Sequence, residues 1–227
     1  MKRNTMHNPR NANNAAVVLM MMSACLVVLC GGPGLAHAQN RNAPKVVSSR
    51  ARQESVTPPR LGKNGTRPLR EFFTKLRQRV ANGEINPRRD FSLTADTTRN
   101  KQGRFTAFRL KSFTGDASAQ AAAQEFLAAL VATQLLTNFA PDAQALTLQL
   151  VAGKTELLIK ASFQVPNANR AQTLAADYGK FFQTLAAARR TTEDAVFWEN
   201  TTAQASRDQV IVISNLPRAA LNALLAE

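Results

Sequence analysis

Strict two-residue alternation followed by a long alanine-rich stretch occurs twice in this chain, and few folds accommodate that pattern. In the first instance Phe91, Leu93 and Ala95 alternate with polar residues, the period of a strand with one buried face. Asn100–Gly103 supplies a turn, with Gly103 free to take the positive φ that tight hairpins need. Arg104 to Phe113 alternates again and predicts the return strand, which Gly115–Asp116 ends. Asp116 or Ser118 then caps a helix carrying Leu127, Leu130, Val131 and Leu135. Residues 91–136 thus read as one strand–strand–helix unit.

The second instance covers residues 145–190. Leu146, Leu148 and Leu150 alternate, Ala152-Gly153-Lys154 turns the chain, and Leu157, Ile159, Ala161 and Phe163 alternate on the way back. A helix from about Asn169 to Arg190 follows, with Leu174, Tyr178, Phe181, Phe182 and Leu185 as its apolar stripe. A shorter third unit spans 200–227. Thr201–Ala205 and Gln209–Ser214 flank the turn Arg207-Asp208, and Pro217 opens a helix with Leu221, Leu224 and Leu225 on one face. An amphipathic helix over 69–82, with Leu69, Phe72, Phe73, Leu76 and Val80 on one side, precedes the first unit. Its apolar face suits docking on the sheet or lying on a membrane surface. Hairpin-plus-helix units of this kind predict a single α+β domain over 69–227. The expected architecture is a two-layer sandwich of a mainly antiparallel sheet with helices mostly on one face.

The N-terminal region has a different character. Residues 1–14 carry Lys2, Arg3 and Arg10 without an acid, and residues 15–30 are uncharged and almost all apolar. Gly31 to Gly34 break the run, and Ala36-His37-Ala38 offers small residues at both specificity positions of a signal-peptidase site. This three-part layout predicts a secretory signal peptide over 1–38, cleaved before Gln39, and a periplasmic or extracellular product. The alternative is an inner-membrane anchor formed by residues 15–30, which is short for a spanning helix.

Cleavage would take both cysteines, Cys25 and Cys30, and both histidines, His7 and His37, away with the signal. The remainder would hold no disulfide, no thiol nucleophile and no imidazole base, so a Ser–His or Cys–His triad and a thiolate metal site are excluded there. Cohesion must then come from an ordinary hydrophobic core. The formal charge of +14 is unevenly placed: residues 39–111 hold eighteen Lys/Arg against five Asp/Glu, and residues 112–227 hold eight against ten. Within the basic part, 39–68 is rich in Arg, Asn, Ser and Pro and cannot bury enough apolar surface to offset its ordering entropy. It reads as a disordered or extended linker. The excess charge of 39–111 either contacts anionic lipid or polymer weakly or serves only to keep the region solvated. An envelope address disfavours nucleic acid as a partner.

No catalytic, cofactor-binding or metal-binding residue is assigned, and no cofactor is implied. The competing enzymatic reading is a glycan-acting hydrolase built on Glu193, Asp194 and Glu199 beside Phe197 and Trp198. Carboxylates this close in sequence rarely face each other across a cleft, and a solvated helix end accounts for them. Lys111, Ser112 and Ser162 offer a Ser–Lys pairing without any surrounding pattern.

The order Arg104 to Val131, with a Gly-bearing turn, a strand, Thr114-Gly115-Asp116 and then an alanine-rich helix, resembles the C-terminal domain of TonB- and TolA-type envelope proteins. Phe139-Ala140-Pro141 is similar to the aromatic-x-Pro that follows the family's helix, and the likeness covers about residues 86–151. The chain departs from the family in having Asn86-Pro87 where Tyr-Pro starts the domain, in lacking a histidine within 15–30, and in its second full unit. The resemblance implies a non-enzymatic domain that offers a sheet edge to an envelope protein. Gln209–Ser214 and Leu146–Val151 are the most strand-like segments and the candidate edges.

Overall fold

A computed structural model describes residues 66–190 and 195–219 of the chain. The signal peptide, residues 39–65 of the linker, Glu193, Asp194 and residues 220–227 lie outside the described residues. The architecture is α+β, a six-stranded antiparallel sheet with helices against it. In chain order the elements are α1 (Arg67–Ala81), β1 (Phe91–Thr98), β2 (Arg109–Thr114), α2 (Ala117–Ala132), α3 (Leu135–Phe139), β3 (Ala145–Ala152), β4 (Glu156–Gln164), α4 (Ala168–Ala188), α5 (Ala195–Glu199), β5 (Thr201–Ser206) and β6 (Gln209–Pro217). The sheet order is β2-β1-β3-β4-β6-β5, so each hairpin keeps its partner and the hairpins join through β1–β3 and β4–β6.

Register explains why one face is buried throughout. Leu93 pairs with Leu150, Leu150 with Ile159, and Ile159 with Ser214. The next row runs Ala95, Leu148, Ala161, Val212 and Ala203. Because side chains alternate with period two, every one of these points to the same side, where the helices supply Phe73, Phe126, Leu130, Phe182 and Phe197. The opposite side carries Thr94, Gln149, Lys160 and Thr202, with Val151, Leu158, Ile211 and Ile213 only half-buried among them.

The helix boundaries follow local chemistry. Pro68 sits in the first turn of α1, where its missing N–H costs nothing, so Arg67 and Pro68 belong to the helix rather than to the linker. Leu69, Phe72, Phe73 and Leu76 are buried, which assigns the apolar face of α1 to the protein's own core. The helix stops at Gly83, φ +75°, whose N–H bonds Val80 O at 3.0 Å while Glu84 N bonds Arg79 O at 2.9 Å. Asp116 caps α2 by accepting from Ala119 N at 2.8 Å, and Asn167 caps α4 by accepting from Arg170 N at 2.9 Å.

Three expectations are corrected. The return strand begins at Arg109, not Arg104. Between them Phe105 turns into the core beneath Arg99, Thr97 donates its hydroxyl to Thr106 O at 2.8 Å, and only a single bridge joins Arg99 to Phe105. The alternation of 104–108 therefore reflects one buried aromatic rather than a ladder. The first long helix stops at Ala132: Thr133 donates to Leu130 O and accepts from Leu135 N, and Gln134 takes a left-handed φ of 54°. Leu135 consequently sits on α3, which runs on through Thr137 to Phe139. Pro217 closes β6 opposite Glu156 instead of opening a helix; Arg218 and Ala219 are the first helical residues after it.

The two repeated units are tied together by Tyr178. Its ring stacks on Phe139 at 4.4 Å and its hydroxyl donates to Phe139 O at 2.6 Å. Burial holds the phenol well above its ordinary pKa, so it remains a donor.

Candidate functional site

A sheet that does not close exposes two edges, and the residues along each decide whether another strand can add there. Gln209–Ser214 lies in β6 and Leu146–Val151 in β3, both flanked on either side by other strands. Neither is an edge, because runs such as Val210-Ile211-Val212-Ile213 mark strands with neighbours on both sides. The edges are β2 and β5.

Strand β5 reads Thr201-Thr202-Ala203-Gln204-Ala205-Ser206, with no charge, proline or glycine. It pairs with β6 without a register shift. Asn215 N donates to Asn200 O at 3.1 Å, so by antiparallel alternation the even-numbered residues face β6 with their backbone groups. The N–H and C=O of Thr201, Ala203 and Ala205 therefore point outward, and among the described residues no strand pairs with them. The side chains of Thr202, Gln204 and Ser206 are exposed on the open face.

Both ends of β5 are held. At the start, the buried Thr201 hydroxyl donates to Phe197 O at 2.9 Å and lies 2.8 Å from the fully buried Ser214 Oγ. Phe197 and Trp198 of α5 are buried edge-to-face at 5.1 Å, anchoring the turn that delivers the strand. At the other end the two-residue turn places Arg207 at φ 53°, and Asp208 O accepts from Val165 N at 2.9 Å. Gln164 Nε2 donates to Asp208 Oδ2, and Gln209 Nε2 donates to Gln164 Oε1 at 3.2 Å.

Strand β2 is built differently. Its register against β1 shifts between Thr94 and Ala95, Arg109 and Lys111 are exposed along it, and Lys111 Nζ lies 3.3 Å from Asp96 Oδ2. Gly115 then ends it at φ +139°, where a Cβ would lie 3.0 Å from the Phe113 ring.

Of the residues of the enzymatic alternatives, those of the Ser–Lys pairing are not brought together. Glu199 is exposed at the end of α5, and Glu193 and Asp194 lie outside the described residues. Ser112 on β2 and Ser162 on β4 have β1 and β3 between them, roughly 14 Å at the usual strand spacing. Lys111 is engaged with Asp96. Among the described residues no group of three or more His, Cys, Asp or Glu could hold a metal ion, and no helix is long and apolar enough to cross a membrane.

The fold and these edges define a class of domain: a six-stranded antiparallel α+β sandwich with one edge strand that is charged and register-shifted and one that is neither. No family model, curated protein or solved structure matches the chain.

Proposed function

We propose that this chain is an exported, non-catalytic protein of the cell envelope that binds a partner protein by strand addition along the outer edge of β5. The carrying observation is the six-residue, uncharged, unbulged edge whose outward backbone groups at Thr201, Ala203 and Ala205 have no strand beside them among the described residues. An extended segment would gain main-chain hydrogen bonds there, with Thr202, Gln204 and Ser206 available to its side chains. The address rests on the charged, apolar and small-residue blocks of 1–38, with release at Ala38/Gln39. The basic 39–65 segment would serve as a tether on anionic lipid or polymer. The TonB/TolA-type resemblance points to the same mode of binding.

The test is capture from envelope extract by the wild-type chain and by Ala203→Pro. Proline at 203 removes an outward N–H and leaves the β5–β6 ladder intact. A saturable partner lost in Ala203→Pro, with circular dichroism unchanged, is the expected result. Equal capture by both proteins would reject the β5 edge.

A further inference from the structure

A second surface lies at the opposite end of the sheet from β5 and does not depend on that edge. Residues 101–111 read Lys-Gln-Gly-Arg-Phe-Thr-Ala-Phe-Arg-Leu-Lys, four cations without an acid and with apolar side chains set between them. The segment forms the turn after β1 and the first half of β2, the outermost strand, so only β1 flanks it within the sheet. Its tip is tied down. Gly103 takes φ +75° and donates to Asn100 O at 3.0 Å, while Asn100 Oδ1 accepts from Gln102 N and Arg104 N, each at 3.0 Å.

Local structure leaves the charges outside. Phe105 is the one buried residue of the segment; Lys101, Arg104, Arg109 and Lys111 are exposed, as are Thr106 and Ala107. Phe108 and Leu110 are half-buried, resting on the core on one side. Asp96 faces Arg109 across the ladder, but its carboxylate lies 3.3 Å from Lys111 Nζ. Lys101, Arg104 and Arg109 form no ion pair among the described residues. Arg104 also borders the last turn of α2 at Val131 and Ala132, where a helix C-terminus favours a cation. That accounts for Arg104 alone and leaves Lys101, Arg109 and Lys111 with a single carboxylate, Asp96, between them.

We propose that residues 101–111 are a contact surface for the anionic phospholipid headgroups of a bilayer. Lys101, Arg104 and Arg109 meet the phosphates, and Ala107 with the exposed part of Phe108 reaches the headgroup–acyl boundary. The apolar groups between the cations select a bilayer over a soluble polyanion, which offers charge but nothing for Ala107 or Phe108 to enter. The charges that keep other strands from pairing with β2 thus have a second use. Five strand spacings separate β2 from β5, roughly 24 Å, so a molecule resting on β2 keeps the β5 edge clear of the lipid.

The experiment uses the full chain with Cys25→Ser and Cys30→Ser, which leaves it without cysteine. Ala107→Cys carries a fluorophore that brightens in apolar surroundings, and Thr202→Cys, labelled in a separate protein, is the reference on β5. Each is mixed with vesicles of equal phosphatidylglycerol and phosphatidylcholine, with vesicles of phosphatidylcholine alone, and with soluble polyphosphate at matched charge. The apolar run at 15–30 would carry the chain to either vesicle and the 39–65 segment to the charged one, so the contrast between the two labels is the reading, not binding as such. The label at 107 is expected to brighten at least about twofold on the charged vesicles alone, and the label at 202 to stay unchanged. Lys101→Glu, Arg104→Glu and Arg109→Glu together should abolish the response at 107. Salt at about 1 M, where charge is screened within about 3 Å, should do the same without any of these reversals having to fold. No response at 107, an equal response at 202, an equal response on neutral vesicles, or a response that survives the salt or the reversals would overturn the proposal. A response to polyphosphate as large as that to charged vesicles would assign the segment to soluble polyanions and equally overturn it.

Discussion

The sheet ends in two strands of six residues each, β2 and β5, that treat their free backbone groups in opposite ways. Strand β2 carries Arg109 and Lys111, shifts register against β1 and is cut short by Gly115. Each of these discourages another chain from pairing. Strand β5 has none of them, yet is fixed at both ends by buried contacts from α5 and from the Asp208 turn. An unguarded edge is a liability in a chain that must stay monomeric, and selection ordinarily removes it with a single charge. The contrast within one sheet is thus the physical argument behind the proposal that β5, rather than β2, receives a partner strand.

The comparison breaks most severely if β5 loses its anchor. Phe197→Ala removes a fully buried ring that supports both α5 and the start of β5. The expected cost is about 3–5 kcal/mol in urea unfolding, with capture lost because the strand is no longer presented. A cost below about 1 kcal/mol would mean that α5 does not hold the edge.

A sharper version leaves the fold alone. Ala203→Pro should weaken capture by at least about tenfold, equivalent to ~1.4 kcal/mol, since one outward donor is lost and the ring obstructs the incoming strand. Arg109→Thr on β2 should change capture by less than about twofold, because pairing there is still opposed by Lys111 and the register shift. If Arg109→Thr weakens capture as much as Ala203→Pro does, the assignment of roles to the two edges is wrong.

Why the sequence revealed the hairpins but misplaced the edges is itself a matter of burial. Alternation at Leu146, Leu148, Leu150 and at Leu157, Ile159, Ala161, Phe163 reports the buried face directly, and strands β3 and β4 fall where it places them. The same apolar strength belongs to strands with neighbours on both sides, so the best strand signals led away from the edges. Thr201–Ser206 is weak in apolar residues because it is an edge, and that weakness next to Val210-Ile211-Val212-Ile213 was the available clue. The Phe105 excursion depends on Arg99 lying over the Phe105 ring and on Thr97 bonding Thr106 O, and the break at Gln134 on Thr133 bonding Leu130 O, contacts of polar side chains that no apolar period records.

On the β2 side a smaller effect is expected from Asp116, which lies just past that strand and caps α2. The Ser118 hydroxyl at 2.7 Å, then the Ala119 N–H and Arg89, hold its carboxyl below the ordinary range. A depressed folded pKa contributes stability that is present above the unfolded value of about 3.9 and lost as pH falls through the folded value. Asp116→Ala should cost about 1 kcal/mol near pH 7, with the gap to wild type closing in acid. Asp116→Asn keeps a capping oxygen and should lose less at pH 7, without that acid dependence. Capture through β5 should be unaffected by either, since α2 packs toward the other half of the sheet.

The smallest effect of all is expected where the enzymatic reading would demand the largest. Glu199 lies only two residues before β5 begins, so the acidic group tests whether chemistry or edge pairing belongs to this part of the molecule. Its carboxyl is exposed at the end of a five-residue helix. A glycosidase needs two carboxyl groups set roughly 5–9.5 Å apart on either side of the scissile bond, one of them raised in pKa by its surroundings. Converting Glu193, Asp194 and Glu199 together to their amides should leave both unfolding free energy and partner capture within about 0.5 kcal/mol of wild type, as surface changes ordinarily do. Release of reducing sugar from an envelope glycan by the wild-type chain, abolished by the triple amide, would overturn the edge reading in favour of hydrolysis. A loss of capture without any hydrolysis would instead place these carboxylates in the contact that extends from β5 to the partner.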